Sequence, residues 1–231
     1  INLFREMPPI RKLLQRTLDG ADAVVAVSRA LGRAIEDMGV SADKVTVIPN
    51  GVNLATFRPI PRAEARGRLG LEVGKLIVAA GNLTENKGFD RMIRVCRLLL
   101  DGRPPCDVSL IIVGEGAFRR ELESLIGSLG LGGRVRLQGG VPQADLHLWF
   151  SAADVSCLMS RREGWPNVLL ESMACGTPVV AAPVGGVPEI VASKEVGQPR
   201  QEVLLIALEI YGGKILYPGH GGEALDHGIW R

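Results

Sequence analysis

Cysteine is scarce in this sequence, and the few there are show no pairing pattern. Cys96, Cys106, Cys157 and Cys175 contain no C-x-x-C spacing and are joined by only three histidines, so neither a disulfide framework nor a zinc site is indicated. Reduced thiols in a cytosolic setting fit that pattern, and Cys157, within an apolar run, is expected to be buried. An excess of one charge is also missing. The 27 Lys and Arg face 25 Asp and Glu for a formal net charge of +2, with arginine scattered rather than clustered, so nothing marks a nucleic-acid binder. No apolar run reaches the length of a membrane span, and the opening Ile1-Asn2-Leu3-Phe4-Arg5 is no signal peptide. With Ile rather than Met in first place, the chain reads as a fragment or partial gene.

What is present suits a soluble globular protein. Of 231 residues, 46% are apolar and 23% charged, enough for one large domain or one and a half ordinary ones. Pro9 to Leu18 reads as a basic amphipathic helix with Ile10, Leu13, Leu14 and Leu18 on one face, suited to packing or to a membrane surface. Ala23 to Val27 reads as a short buried strand. Ser28 caps a helix that turns Leu31, Ile35 and Met38 inward and ends at Gly39. Lys44 to Pro49 is a second strand, closed by the turn signal Asn50-Gly51. After a proline-rich, charged linker with a short helix at about 62–69, strand and helix alternate. Strands are expected at 76–80, 108–113, 135–137, 155–158 and 179–181. Helices are expected inward through Phe89, Met92, Ile93, Cys96, Leu99 and Leu100, through Leu122, Leu125, Ile126 and Leu129, and from Pro142 to about Phe150. This alternation predicts an α/β fold with a parallel sheet covered by helices on both faces, whose ligands bind beyond the carboxyl ends of the strands.

One stretch carries most of the chemistry. Pro166 is preset for a first helical turn and Gly176 can take the left-handed conformation just past the end, so a helix runs from about Pro166 to Cys175. Its first N–H groups, those of about Asn167 to Leu169, form with the helix dipole a weak anion site where a diphosphate could rest. Glu163 in the preceding loop and Glu171 within the helix would repel phosphate. They can instead accept hydrogen bonds from the hydroxyls of neutral sugar rings. A ligand with an anionic middle and a sugar at each end follows. The rival chemistry, a glycosidase carboxylate pair, needs carboxyls roughly 5–9.5 Å apart, whereas eight residues along a helix span about 12 Å. The loop position of Glu163 keeps that rival open.

The segment from Glu163 to Glu171, Glu-Gly-Trp-Pro-Asn-Val-Leu-Leu-Glu, with Ser172-Met173-Ala174-Cys175-Gly176-Thr177-Pro178-Val179-Val180-Ala181 after it, resembles the signature of family 4 retaining glycosyltransferases of the GT-B architecture. The resemblance implies a Rossmann-like parallel sheet, contact of Glu163 with the donor sugar, and a grip of Glu171 on the nucleotide ribose. Residues 21–59 are similar to the last unit of that family's amino-terminal domain, whose missing part would supply the acceptor pocket. Pro183 to Val191 continues the pattern to about Gly197. The division expected is 1–57 as an amino-terminal remnant, 58–74 as linker, 75–197 as the nucleotide-sugar-binding domain, and 198–231 as a divergent or truncated tail.

Other site candidates rest on weaker spacing. Gly81 and Gly88 let backbone approach a ligand, and Lys87 is a cation at the same strand end. The resemblance turns this loop into the donor-diphosphate site, with Asn82 where the family commonly has Arg. Asn82 offers only neutral hydrogen bonds, roughly half as strong as charge-assisted ones, so binding is weaker, or Arg161 or Arg162 compensates, or a subgroup uses Asn. Glu115 lies in a bare G-x-G. Gly139-Gly140-Val141-Pro142 resembles the segment that faces the base, which brings in Val141. Catalytic roles thus fall on Glu163 and Lys87, and donor binding on Gly81, Asn82, Gly88, Glu115, Val141, Gly164, Trp165, Pro166, Asn167, Val168 and Glu171.

The expected activity is hexose transfer with retention from a nucleoside-diphosphate sugar to a hydroxyl acceptor, in polysaccharide, glycolipid or glycoconjugate synthesis. No cofactor and no metal are expected. His220 and His227 lack acidic or Cys support, and the family generally needs no metal. Expected partners are the donor and a sugar, lipid-linked or other hydroxyl acceptor, without nucleic acid. The expected compartment is the cytoplasm, with peripheral membrane contact through the missing domain. The rivals are a binding module without activity and a GT-B sugar-nucleotide epimerase or phosphorylase, although no motif for a pyridoxal phosphate lysine is seen.

Overall fold

The computed structural model describes residues 8–72, 74–102 and 105–191. The expected apolar helix at 202–211, His220, His227 and the whole 198–231 tail lie outside them. The chain begins with α1 (Pro8–Asp19), β1 (Val24–Ala26), α2 (Arg29–Glu36) and β2 (Val45–Val47), with β1 and β2 paired in parallel. Ser28 caps α2 as expected, its hydroxyl accepting from the N–H of Leu31 at 3.1 Å. Ile35 and Met38 are buried beside Val24, Ala26 and Val40.

Three details of this unit differ from the sequence reading. The first strand is not buried on both sides, because α2 covers only one face of a two-stranded sheet and Val25, on the other, is 59% exposed. Leu13 does not share the packed face of α1 and is 65% exposed, since it lies at the edge of the stripe that Leu14 and Leu18 occupy. Asn50-Gly51 does not make the turn. The bend comes at Asn53, whose side chain and carbonyl accept from Ala55 and Thr56, and Asn50 is drawn to a distant partner described below.

Beyond α3 (Arg62–Arg68) stands the main sheet, formed by β3 (Lys75–Ala80), β4 (Val108–Val113), β5 (Val135–Gly139), β6 (Val155–Leu158) and β7 (Val179–Ala181), all parallel in the order β5-β4-β3-β6-β7. Its helices are α4 (Phe89–Asp101), α5 (Arg119–Ser128), α6 (Leu146–Ala152), α7 (Asn167–Ala174) and α8 (Val187–Val191). The expected α/β architecture, a Rossmann-like parallel sheet with helices on both faces, is therefore the one observed. The helix expected from Pro142 instead opens as a 3-10 turn over Gln143–Asp145 and becomes α-helical at Leu146. Helix α8 was not foreseen, its five residues being too short for a periodic signal.

Alternation along the strands builds the two layers. Ile77, Ala79, Leu110 and Ile112 face α4 and α5 with Phe89, Ile93, Cys96 and Leu122. Leu76, Val78, Ala80, Ile111 and Val113 face α3 and α6 with Trp149 and Phe150. The same side continues over β6 and β7, where Leu158, Val179 and Ala181 receive Leu169 of α7 and Ile190 of α8. Asp154 fixes the linker helix to the strand starts, since it ion-pairs with Arg62 and Arg66 while accepting from the N–H of Leu76 at 2.8 Å.

Candidate active site at the carboxyl ends of the strands

Parallel strands place the loops after β3, β4, β5, β6 and β7 on one edge of the sheet. Two of those loops are zipped together. Gly88 ends the loop after β3 at φ +66°, and a Cβ there would lie 2.0 Å from the carbonyl oxygen of Met159, so the β3 loop rests directly on the segment leaving β6. The N–H of Arg161 donates to the carbonyl of Asn86 at 2.7 Å, and the Asn86 amide donates to the carbonyl of Arg162 at 2.9 Å. The Arg161 guanidinium forks onto Asp90 at 3.0 and 3.2 Å and also reaches the carbonyl of Glu85. Hydrogen bonding to Asp90 pushes the Arg161 pKa up. Arg161 is thus a strut between loops. Its guanidinium is committed to Asp90 and to the Glu85 carbonyl.

At the mouth of this zipper Lys87 Nζ donates to Glu163 Oε1 at 2.6 Å, with the side chains 24% and 10% exposed. The lysine read from sequence as a cation at the strand end is held by the very carboxylate expected to contact the donor sugar. Helix α7 begins just beyond. Pro166 is its N-cap residue rather than its first helical one, and makes no side-chain cap hydrogen bond. The N–H of Leu169 turns back to the carbonyl of Pro166 at 3.1 Å, which removes it from the anion site expected over Asn167 to Leu169. The first-turn N–H groups of Asn167 and Val168 are what that site retains. Gly176 ends the helix region at φ +75°, as expected.

The remaining expected residues line the same edge in different states. Gly164 and Trp165 bridge Glu163 to α7, and the indole N–H of Trp165 donates to the carbonyl of Asn50 at 3.0 Å. Asn50 also donates to the side chain of Asn167 at 3.2 Å. Glu171, one turn into α7, accepts from Gln143 at 3.4 Å, and desolvation raises its pKa despite that hydrogen bond. Glu115 accepts from the N–H of Gly140 at 3.2 Å, so it supports the segment after β5 from which Val141 packs inward. Gly81 lies beside the Lys87 stem, while Asn82 is exposed, its carbonyl accepting from Thr84. Sequence reasoning missed Asn50, Asn86, Asp90 and Gln143. Their partners are reached only across the fold. Among the described residues no group of three or more His, Cys, Asp and Glu gathers in a way that could hold a metal, and no helix is long and apolar enough to cross a membrane.

Residues 61–202 match the profile of the family described as glycosyl transferases group 1, which is more than half of the chain. The chain belongs to the group 1 glycosyltransferases. Residues 3–56 further match the family described as Glycosyltransferase Family 4. A relative in Thermobispora bispora, named D-inositol 3-phosphate glycosyltransferase, is 39% identical over 189 residues; that match covers 78% of this chain and 44% of the relative. The chain spans less than half the length of that curated relative. Among solved structures, Anabaena HepE in complex with UDP-glucose is similar with a TM-score of 0.74 at 26% identity, covering 87% of this chain and 57% of that one. Sucrose-phosphate synthase from Thermosynechococcus elongatus is similar with a TM-score of 0.71 at 30% identity, covering 87% of this chain and 51% of that one.

Proposed function

We propose that this glycosyltransferase moves a hexose, with retention, from a nucleoside-diphosphate sugar to a hydroxyl acceptor, and that residues 75–197 hold the donor. The observation that carries the reading is the Lys87–Glu163 pair, a cation and a sugar-hydroxyl acceptor 2.6 Å apart beside the start of α7. A donor's diphosphate and hexose are joined by one bond, so its two recognition groups must stand side by side as these do. The diphosphate lies between Lys87 and the N–H groups of Asn167 and Val168, where fixed positive charge favours an anion. Glu163 accepts from hexose hydroxyls and Glu171 from ribose hydroxyls.

The bond between the anomeric carbon and the diphosphate oxygen breaks with its electron pair on the diphosphate. Lys87 and the helix start stabilise the charge that develops there. The acceptor oxygen then bonds to the anomeric carbon and releases its proton to the leaving diphosphate or to water. No cofactor or metal has a part in this reading. UDP-glucose is the first donor to try, because HepE binds it, and a polyol phosphate is the first acceptor, in view of the name of the Thermobispora relative. The four cysteines, none of them in a disulfide, suit the cytoplasm as working compartment.

Calorimetry of the 231-residue chain with UDP, GDP, ADP and their glucose conjugates tests this directly. One nucleotide series is expected to bind. Glu171→Ala is expected to weaken nucleotide and sugar nucleotide alike, and Glu163→Ala the sugar nucleotide far more than the nucleotide. Equal losses from both variants, or no binding of any series, would sink the assignment. Binding without hydrolysis or transfer would favour a donor-binding module over an enzyme.

A further inference from the structure

We propose that Glu189 is a positioning residue for the donor loop, clamping the turn behind Glu163 by seizing the start of a helix from the amino-terminal unit. The Glu189 carboxylate accepts from the N–H of Arg29 at 2.8 Å and of Ala30 at 2.9 Å, the first two donors of α2. Ser28 accepts from the third, that of Leu31, so the open end of α2 is closed jointly by its own cap and by a carboxylate about 160 residues away. An anion at that end gains from the helix dipole as well as from two charge-assisted hydrogen bonds.

What this clamp squeezes is the Gly185-Gly186 turn, which leads into α8 and thereby to Glu189, whose N–H donates to the carbonyl of Gly186 at 3.1 Å. The turn is wedged with no room for a side chain. A Cβ on Gly185 (φ +55°) would stand 1.7 Å from the carbonyl oxygen of Glu163; on Gly186 it would stand 2.3 Å from the carbonyl oxygen of Gly164 and 2.8 Å from Ser28 Cβ. The order through the molecule is α2, the diglycine turn, then the backbone of Glu163 and Gly164. Pulling α2 onto the turn therefore fixes the peptide that aims the Glu163 side chain. On the far side, Trp165 and Asn167 are held by Asn50 of the same amino-terminal unit. The loop is gripped from both ends by a part of the chain that does not belong to the main sheet.

This proposal rests on the reading of Glu163 as the donor-sugar residue only for its functional arm, and the test separates the two. Amide exchange is measured without ligand on the wild-type chain, Glu189→Ala and Ser28→Ala. Ser28→Ala keeps the Cβ against Gly186 and removes only the local cap, so it should speed exchange in 29–36 alone. Glu189→Ala should speed exchange about tenfold in both 29–36 and 163–169, on the scale of a lost helix cap. Exchange that rises in 29–36 while 163–169 stays unchanged would overturn the clamp and leave Glu189 a plain helix cap. If Glu189→Ala does not fold, Glu189→Gln carries the same comparison, because it keeps one acceptor oxygen and should give an intermediate rise in both segments. In the functional arm, UDP-glucose affinity should fall in Glu189→Ala more than UDP affinity. If wild type binds neither, the functional reading fails, and the exchange arm still decides the clamp.

Discussion

The ion pair of Lys87 with Glu163 can be taken apart by a double-mutant cycle, and its burial sets the expected numbers. Glu163 is only 10% exposed, so replacing Lys87 by Met strands a carboxylate that water cannot easily reach. Removing one partner of a fully buried pair costs about 3–5 kcal/mol, and a single charge-assisted hydrogen bond is worth about 1.5–3 kcal/mol. With a quarter of Lys87 still in solvent, the lower range applies, and Lys87→Met should lower unfolding stability by about 2 kcal/mol. Glu163→Gln keeps a neutral acceptor oxygen for the more exposed partner but removes the charge, and should cost about 1 kcal/mol. The double variant should resemble Glu163→Gln, giving a coupling of about 1.5–2 kcal/mol in urea titrations.

Binding adds a second and more selective readout. In the resting site Glu163 competes with a diphosphate for Lys87, so Glu163→Gln should leave UDP affinity unchanged or tighten it. UDP-glucose affinity should fall by about tenfold, the value of one strong hydrogen bond to a hydroxyl. Lys87→Met should weaken both ligands. Coupling below about 0.3 kcal/mol, within the error of additive sites, or equal losses of UDP and UDP-glucose in Glu163→Gln, would refute the reasoning.

Other expectations follow from the same geometry. Desolvation raises the Glu171 pKa above its ordinary 4.5, so its protonated form favours folding at low pH and that contribution is lost as pH rises through the folded value. Glu171→Gln should accordingly be slightly more stable than wild type at neutral pH and bind nucleotide less well, while wild-type affinity should drop as pH falls through the same range; a pH series by calorimetry and thermal melts checks both. Gly88→Ala should destabilise by about 2 kcal/mol or more and weaken nucleotide binding, since it strains a left-handed residue and collides with the Met159 carbonyl. Burial pushes the thiols of Cys96 and Cys175 up to about 11, so iodoacetamide at neutral pH should label these two only after urea is added; rapid native labelling would contradict the packing.

The sequence by itself determined the order of the strands and of every helix before α8, because alternating apolar residues and helical periodicity are local properties that survive into the fold. Ser28, Pro166 and Gly176 marked helix ends for the same reason: a hydroxyl, a fixed φ and a missing Cβ act on their own neighbours. The strand-end loops could also be found, since a parallel sheet puts them on one edge whatever their composition. Tertiary structure alone decided which of their groups meet. Nothing near Lys87 in the chain announces Glu163, 76 residues on, and Asn50-Gly51 reads as a turn until Trp165 and Asn167 claim Asn50. Arg161 reads as available to a phosphate although Asp90 holds it, and only in the fold does the Glu189 carboxylate meet the start of α2. Hydrogen bonds and ion pairs of this kind depend on distances that the chain sets only once both layers are packed. Periodicity can therefore announce the scaffold, whereas the partners within the site exist only in three dimensions.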